Sequence, residues 1–355
     1  MKILNRYIGF RLAWGWLLVL LILTALFSIM ELVGQLDDIG EGTYQIADVF
    51  SYIAYTTPGR ILNLAAISAL LGSIVALGTL ANGDELLAMR ACGFSVFRIS
   101  RVVLSSGVVL MLGVLIFAQF IVPPLEQRAW INREIALSDL GTLLPEGGFW
   151  TRDKNRFINV RSSTYGEGLD DLSVYEFDDE GKPAQFITAR NAKIGPDGRW
   201  MCQDIRQVTF LEKEIIDQKI PTLTLDIFLN TKQVDLLSVT PSMFSISALY
   251  QYIQVLQQRG QNPNPYILSL WQKLTLPLKV GAMIFFSLPF VFGQARESSS
   301  GRRVTIGTIV GISYYYFDQA LGYTGLLIGL HPAFTTLLPL AIIIMITLWL
   351  MLRIP

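Results

Sequence analysis

Residues 83–101 read GDELLAMRACGFSVFRISR and lie between two long uncharged runs, 61–83 and 102–125. Asp84 and Glu85 place acid where a helix dipole favours it, and Gly93 falls where a C′ glycine would stop a helix after about two turns. The spacing predicts a very short helix over 84–92. Leu86, Leu87 and Met89 are apolar although the segment lies outside any membrane span, so part of this helix presses against something, in this chain or in another. Two readings fit the bare pattern: a tight, partly buried loop between membrane helices, or a handle by which a soluble partner moves a membrane machine.

The rest of the composition belongs to a membrane protein. Of 355 residues, 52% are hydrophobic and 16% charged, well beyond a water-soluble average. The net charge is zero, so a nucleic-acid partner is not indicated. Cys92 and Cys202 are too few for a disulfide framework or a thiolate metal site. His331, the single histidine, directly precedes Pro332 near a membrane edge; it reads as an interfacial or turn residue, the alternative being a ligand or base. Metal and histidine-based catalysis both lose their usual parts.

In chain order, Lys2, Arg6 and Arg11 precede the uncharged run 12–30, long enough to cross about 30 Å of hydrocarbon as a helix. The run is too long for a signal peptide, and no small-x-small cleavage pattern follows it. After 61–83 and 102–125, the runs 266–293, 304–327 and 330–352 complete a set of six. Three spans fall within 1–125 and three within 266–355. Orientation follows from basic residues in the short connections. One side carries Lys2, Arg6, Arg11, Arg90, Arg98, Arg101, Arg296, Arg302, Arg303 and Arg353; the other carries Arg60, in a loop that also holds Asp37, Asp38, Glu41 and Asp48. Both termini and the 84–92 helix are therefore expected in the cytoplasm, with Cys92 and Cys202 on opposite sides of the membrane.

Residues 126–265 form the long connection, expected on the outer side, and here apolar runs give way to alternation. Short stretches holding Val160, Leu172, Val174, Trp200, Val208 and Leu223 are interrupted by turn signals at 165–168, 178–181 and 195–198. Many short strands at this spacing imply a sandwich, jellyroll or partial barrel. Residues 251–261 read as a polar helix or linker returning to the membrane.

No G-x-x-x-x-G-K-S/T loop is present, so nothing signals ATP binding by this chain itself. Glu176, Asp178, Asp179 and Glu180 cluster around a turn and read as a solvated hairpin tip, with a paired acid/base site as the alternative. Within the spans, Lys273 and Asp318 each lie about 10 Å deep at 1.5 Å per residue, so they can pair; the alternative is direct lipid contact. Lys279 lies nearer mid-membrane, beyond Pro277, and either lines a cavity or pairs. Gly307-x-x-x-Gly311 would allow close packing of the fifth span against a partner helix, as a gate requires.

Arg6-Tyr7-Ile8-Gly9, the stretch LGTLANGDELLAMRACGFS at 77–95, Trp271-Gln272-Lys273-Leu274 and Asp318-Gln319 resemble the LptF/LptG permeases of lipopolysaccharide export. The layout of six transmembrane helices with an inserted β-domain agrees, and the likeness covers the whole chain. The Arg-Tyr-Ile-Gly opening and Phe149-Trp150 are more similar to the LptG branch. The resemblance implies a polytopic α-helical inner-membrane protein of Gram-negative bacteria with a periplasmic β-jellyroll-like domain. It implies one permease of an ABC transporter that draws lipopolysaccharide from the outer leaflet of the inner membrane. The partners implied are an LptB-like ATPase dimer, an LptF-like permease and an LptC-like bridge protein. No cofactor is expected on this chain, since ATP and Mg belong to the ATPase. The 84–92 helix matches the family's coupling helix, with Asp84, Glu85, Leu86, Met89 and Arg90 as the ATPase-facing candidates.

Lipid binding calls for cations at phosphates. Arg128, Arg133 and Lys279 are the candidates, and Arg133 matches a basic position of the family; membrane-edge snorkelling is the alternative for the two arginines. Where better-known members carry lysines at the outer end of the first span, this chain has Glu31, Asp37 and Asp38. Two rival functions fit parts of the pattern. A lipoprotein-releasing ABC permease would have four spans, and a polytopic membrane enzyme would work alone, with Glu85 dispensable.

Overall fold

The computed structural model describes residues 2–137, 149–153, 155–164, 168–178, 181–194, 200–210, 214–225, 240–258, 261–292 and 300–353. Residues 165–167, 179–180 and 195–198 of the expected turns, and Arg296, lie outside them.

Helices α1 (Lys2–Leu36) and α2 (Ile46–Asn82) form an antiparallel hairpin. Asp48 fixes the start of α2 by accepting the Gln45 N–H at 2.9 Å. The short α3 (Glu85–Ala91) follows, and α4 (Val96–Ile116) begins at Ser95, whose hydroxyl accepts the Arg98 N–H at 3.3 Å. Helix α4 does not stop at residue 125. A π-turn, Phe117–Ile121, leads directly into α5 (Val122–Leu137). Pro123 and Pro124 offer no N–H to the carbonyls one turn back, and the wider turn carries the helix past them. The expected domain boundary at 126 therefore falls inside a helix.

After the sheet come α6 (Ile246–Gln258), α7 (Asn264–Phe292), α8 (Ser300–Leu327) and α9 (Pro332–Leu352). His331 caps α9, its Nδ1 accepting the Ala333 N–H at 3.2 Å while Pro332 takes the first helical position. Among the described residues, five helical stretches are long and apolar enough to cross a membrane: Ile3–Leu36, Ile46–Asn82, Val96–Leu137, Asn264–Phe292 and Pro332–Leu352. Helix α8, the remaining expected span, has 28 residues, but Arg302, Arg303, Asp318 and Gln319 make it less apolar.

The bundle is organised around α2. Its most apolar window is 78% buried against 11% for that of α1, so α2 is a core helix and α1 a peripheral one. Small residues set the crossings. A Cβ on Gly72 would lie 2.5 Å from the Trp16 Cα, and one on Gly15 would lie 2.8 Å from the Gly72 carbonyl. Gly311 and Gly307 of α8 press on Ile67, Leu70, Leu71 and Ile74 of α2. The helix on which this Gly-x-x-x-Gly pair packs is α2 of the same chain, whose branched side chains fill the small-residue stripe.

The strands β1 (Phe149–Asp153), β2 (Arg156–Thr164), β3 (Gly168–Phe177), β4 (Pro183–Ile194), β5 (Trp200–Phe210) and β6 (Ile215–Leu225) form one antiparallel meander in chain order. Alternation buries Ile158, Val160, Leu172, Val174, Ile187, Ala189, Trp200, Cys202 and Ile205 together. The ladder skips Asp171, Arg190, Asp204 and Pro221 in successive strands, and Asp171 and Asp204 have φ of 53° and 54°. This row of irregular positions interrupts the ladder across four strands. At the tip between β3 and β4, Asp178 accepts the Lys182 N–H at 2.8 Å and Gly181 adopts φ +81°, as the hairpin reading requires.

Burial pushes the Cys202 thiol up to about 11, whereas Cys92 is exposed. At pH 7.5 the native protein is expected to take one maleimide per chain, on Cys92, and two after denaturation. Labelling of both sites in the native protein would contradict the sheet's packing.

Candidate functional site

At one end of the bundle, α3 is held by both its ends and one face. Asp84 adopts the left-handed conformation (φ 55°), which Asp tolerates, and its carbonyl accepts the Ala88 N–H at 2.8 Å. At the other end Gly93 (φ +88°) donates to the Arg90 carbonyl at 3.0 Å and Phe94 to that of Met89 at 3.1 Å. These two bonds form a Schellman motif. The helix is thus one residue shorter at each end than 84–92. Leu86 is buried among Ile8, Leu12, Leu80 and Ile99, and Met89 packs against the same core. Leu87 and Arg90 are exposed on the outward face. Glu85 accepts the Tyr7 hydroxyl hydrogen at 2.8 Å.

Arg303, counted in the sequence only as a positive end charge, is buried at 1% exposure, and its Nη2 donates to the Asn82 Oδ1 at 2.6 Å. A cation in the first turn of α8 opposes that helix's dipole, but it suits the C-terminus of α2, where it lies. That mismatch with its own helix was the signal available in the sequence.

At the opposite end, Arg133 bonds Asp38 at 2.6 Å and Gln35 at 3.0 Å, meets Glu134 at 3.4 Å, and lies 5.8 Å from the Tyr52 ring centre. The buried Tyr44 donates to the same Gln35 oxygen at 3.1 Å, and Thr43 N–H donates to the Ala136 carbonyl at 2.8 Å. The α1–α2 loop is therefore strapped onto α5. Asp38, just beyond the end of α1, is the carboxylate that neutralises Arg133. Arg128 is exposed.

A cleft of about 180 Å³ opens between α2, α5, α7 and α8, its polar lining made by Glu126, Gln272, Lys273, Lys279, Tyr314, Asp318 and Gln319. The expected pairing of Lys273 with Asp318 is corrected: the ammonium 2.6 Å from Asp318 belongs to Lys279, which is 5% exposed. Side chains lean toward the N-terminus of their own helix. Because α7 and α8 run in opposite directions, the deeper Lys279 and the shallower Asp318 lean toward one another. Lys279 is thereby committed inside the chain and is not a free lipid-binding cation. Lys273 instead faces Glu126 across the cleft. Gly59, directly after the in-helix Pro58, makes room: a Cβ there would overlap the Glu126 carboxylate. Tyr314 Oη, Asp318 Oδ1 and Gln319 Oε1 have no hydrogen-bond partner among the described residues. The cleft is zwitterionic, with two ammoniums and two carboxylates drawn from three helices.

Several bilayer-length apolar helices with an antiparallel sheet inserted between them are the build of a polytopic membrane protein. The match to the family lipopolysaccharide export system permease LptF/LptG runs over residues 6–353, and the chain belongs to that family. Members are transport subunits, not enzymes. The chain is 32% identical over 351 residues to the lipopolysaccharide export system permease protein LptG of Haemophilus influenzae, covering 99% of this chain and 98% of the relative. It is 29% identical over 353 residues to the protein of the same name from Escherichia coli, with the same coverage.

Proposed function

We propose that this chain is an LptG-type permease that extracts lipopolysaccharide from the outer leaflet of the inner membrane and passes it to a periplasmic bridge. ATP hydrolysis in an LptB-like dimer drives the cycle, with an LptF-like permease as the second wall of the cavity and an LptC-like protein as acceptor. ATP and Mg are held by the ATPase. Helix α8 is the sixth span; its length and its seat against α2 support this. The six-stranded antiparallel sheet with its own buried cluster supports a jellyroll-like periplasmic domain. The distribution of basic residues supports cytoplasmic termini.

The observation that carries the reading is α3: a short helix closed by a Schellman motif, whose inner face lies in the bundle core and whose outer face presents Leu87 and Arg90. A soluble ATPase gripping that face moves α2 and α4 through Leu86 and Met89, because a close-packed core transmits displacement. At the outer end, Arg128 meets lipid phosphate directly, and a phosphate reaches Arg133 by displacing Asp38. The chain, tagged and gently extracted from its native membrane, is expected to bring down a soluble ATPase, a second six-span permease and lipopolysaccharide. Recovery of the chain alone would contradict the proposal.

A further inference from the structure

Glu85 has two oxygens, and they have different neighbours. Oε2 takes the hydrogen of Tyr7 Oη at 2.8 Å, across 78 residues of sequence. The same Tyr7 oxygen accepts from Arg11 Nε at 3.2 Å and Nη2 at 3.0 Å, and the Arg11 guanidinium lies 5.3 Å from the ring centre. A phenol has one hydrogen and an oxygen that accepts. With the two guanidinium donors on the oxygen, the hydroxyl hydrogen is left for Glu85, in a charge-assisted bond. Glu85 Oε1 has no donor among the described residues and stays available to a cation of a partner.

The apolar side of the junction is shared as well. Leu86, at 5% exposure, sits in one cluster with Ile8 and Leu12, against which Leu4 and Tyr7 also pack. Helix α1 beyond this point is peripheral, and Phe10, Trp14, Leu17, Leu21 and Phe27 are exposed on its outward side. Helix α1 is packed on α2 along one side, and the Tyr7–Glu85 bond with the Leu86 contacts is its direct tie to α3.

We infer that Tyr7 is a positioning residue that joins α1 to the coupling helix, aims Glu85 at its partner, and makes α1 move with α3 during the transport cycle. This rests on the coupling reading of α3. The test uses the whole transporter assembly carrying Tyr7→Phe, which keeps the ring and its packing, in proteoliposomes containing lipopolysaccharide. ATP hydrolysis is expected to stay within about twofold of the parent, while lipopolysaccharide released per ATP falls about tenfold, the scale of one hydrogen bond to a charged group. In parallel, spin labels on Ile3→Cys and the native Cys92, both exposed, are expected to give one narrow distance in all nucleotide states of the parent and a broadened one in Tyr7→Phe. If Tyr7→Phe fails to assemble, Arg11→Leu, which keeps the hydroxyl but frees its direction, is expected to show the same two changes. A parental value for either readout overturns the inference. Failure of the coupling reading is separate: it shows as Glu85→Arg retaining the ATPase.

Discussion

Lys279→Ala is expected to destabilise the protein by about 3–5 kcal/mol, the cost of removing one partner of a buried ion pair. Lys279 is 5% exposed and its ammonium is the group 2.6 Å from Asp318 Oδ2. The Oδ1 atom has no partner among the described residues, so truncation strands the whole carboxylate between helices. The loss is expected to be mostly recovered in Lys279→Met with Asp318→Leu, because two apolar groups of similar volume replace both charges at little cost. Thermal unfolding of the detergent-solubilised protein reads both variants. A single variant within about 1 kcal/mol of the parent would place the pair in open water rather than in the bundle.

Gly72→Val is expected to separate α1 from α2, costing roughly 1–3 kcal/mol or more. A Cβ there would lie 2.5 Å from the Trp16 Cα and 2.8 Å from its nitrogen, both backbone atoms that cannot rotate away. Gly113→Ala is the matched control. Nothing lies within 4 Å of a Cβ at Gly113, and replacing an open helical glycine gains about 0.5–1 kcal/mol. Opposite shifts of the two variants on the same unfolding curve are the expected result; a parental curve for Gly72→Val would contradict the helix crossing.

The helices were legible because long uncharged runs have few other solutions in a membrane protein, and the 84–92 helix because Asp84-Glu85 and Gly93 are strong end signals. What the sequence hid depends on which face a residue turns to a neighbour. Depth alone made Lys273 the natural partner of Asp318, since counting residues ignores the lean that brings Lys279 to it. Asp38 and Arg133 lie 95 positions apart, and their joining requires the loop to fold back on α5. Gly307 and Gly311 signal close helix packing without naming the helix, which is α2. The charges after residue 125 end the uncharged run but not the helix, which a π-turn carries past Pro123 and Pro124.

The test closest to the central claim is the amount of ATPase recovered per copy of this chain after affinity purification from native membranes, for the parent and for Glu85→Arg. Glu85 is half-buried on α3 with one oxygen held by Tyr7, so reversing its charge both breaks that bond and changes the charge that α3 presents to a partner. The expected result is recovery of a soluble ATPase with the parent and a loss of about tenfold or more with the variant, as for other charged contacts truncated at an interface. Equal recovery from both, or recovery of this chain alone, would contradict the assignment of α3 as the point where ATP hydrolysis meets the membrane.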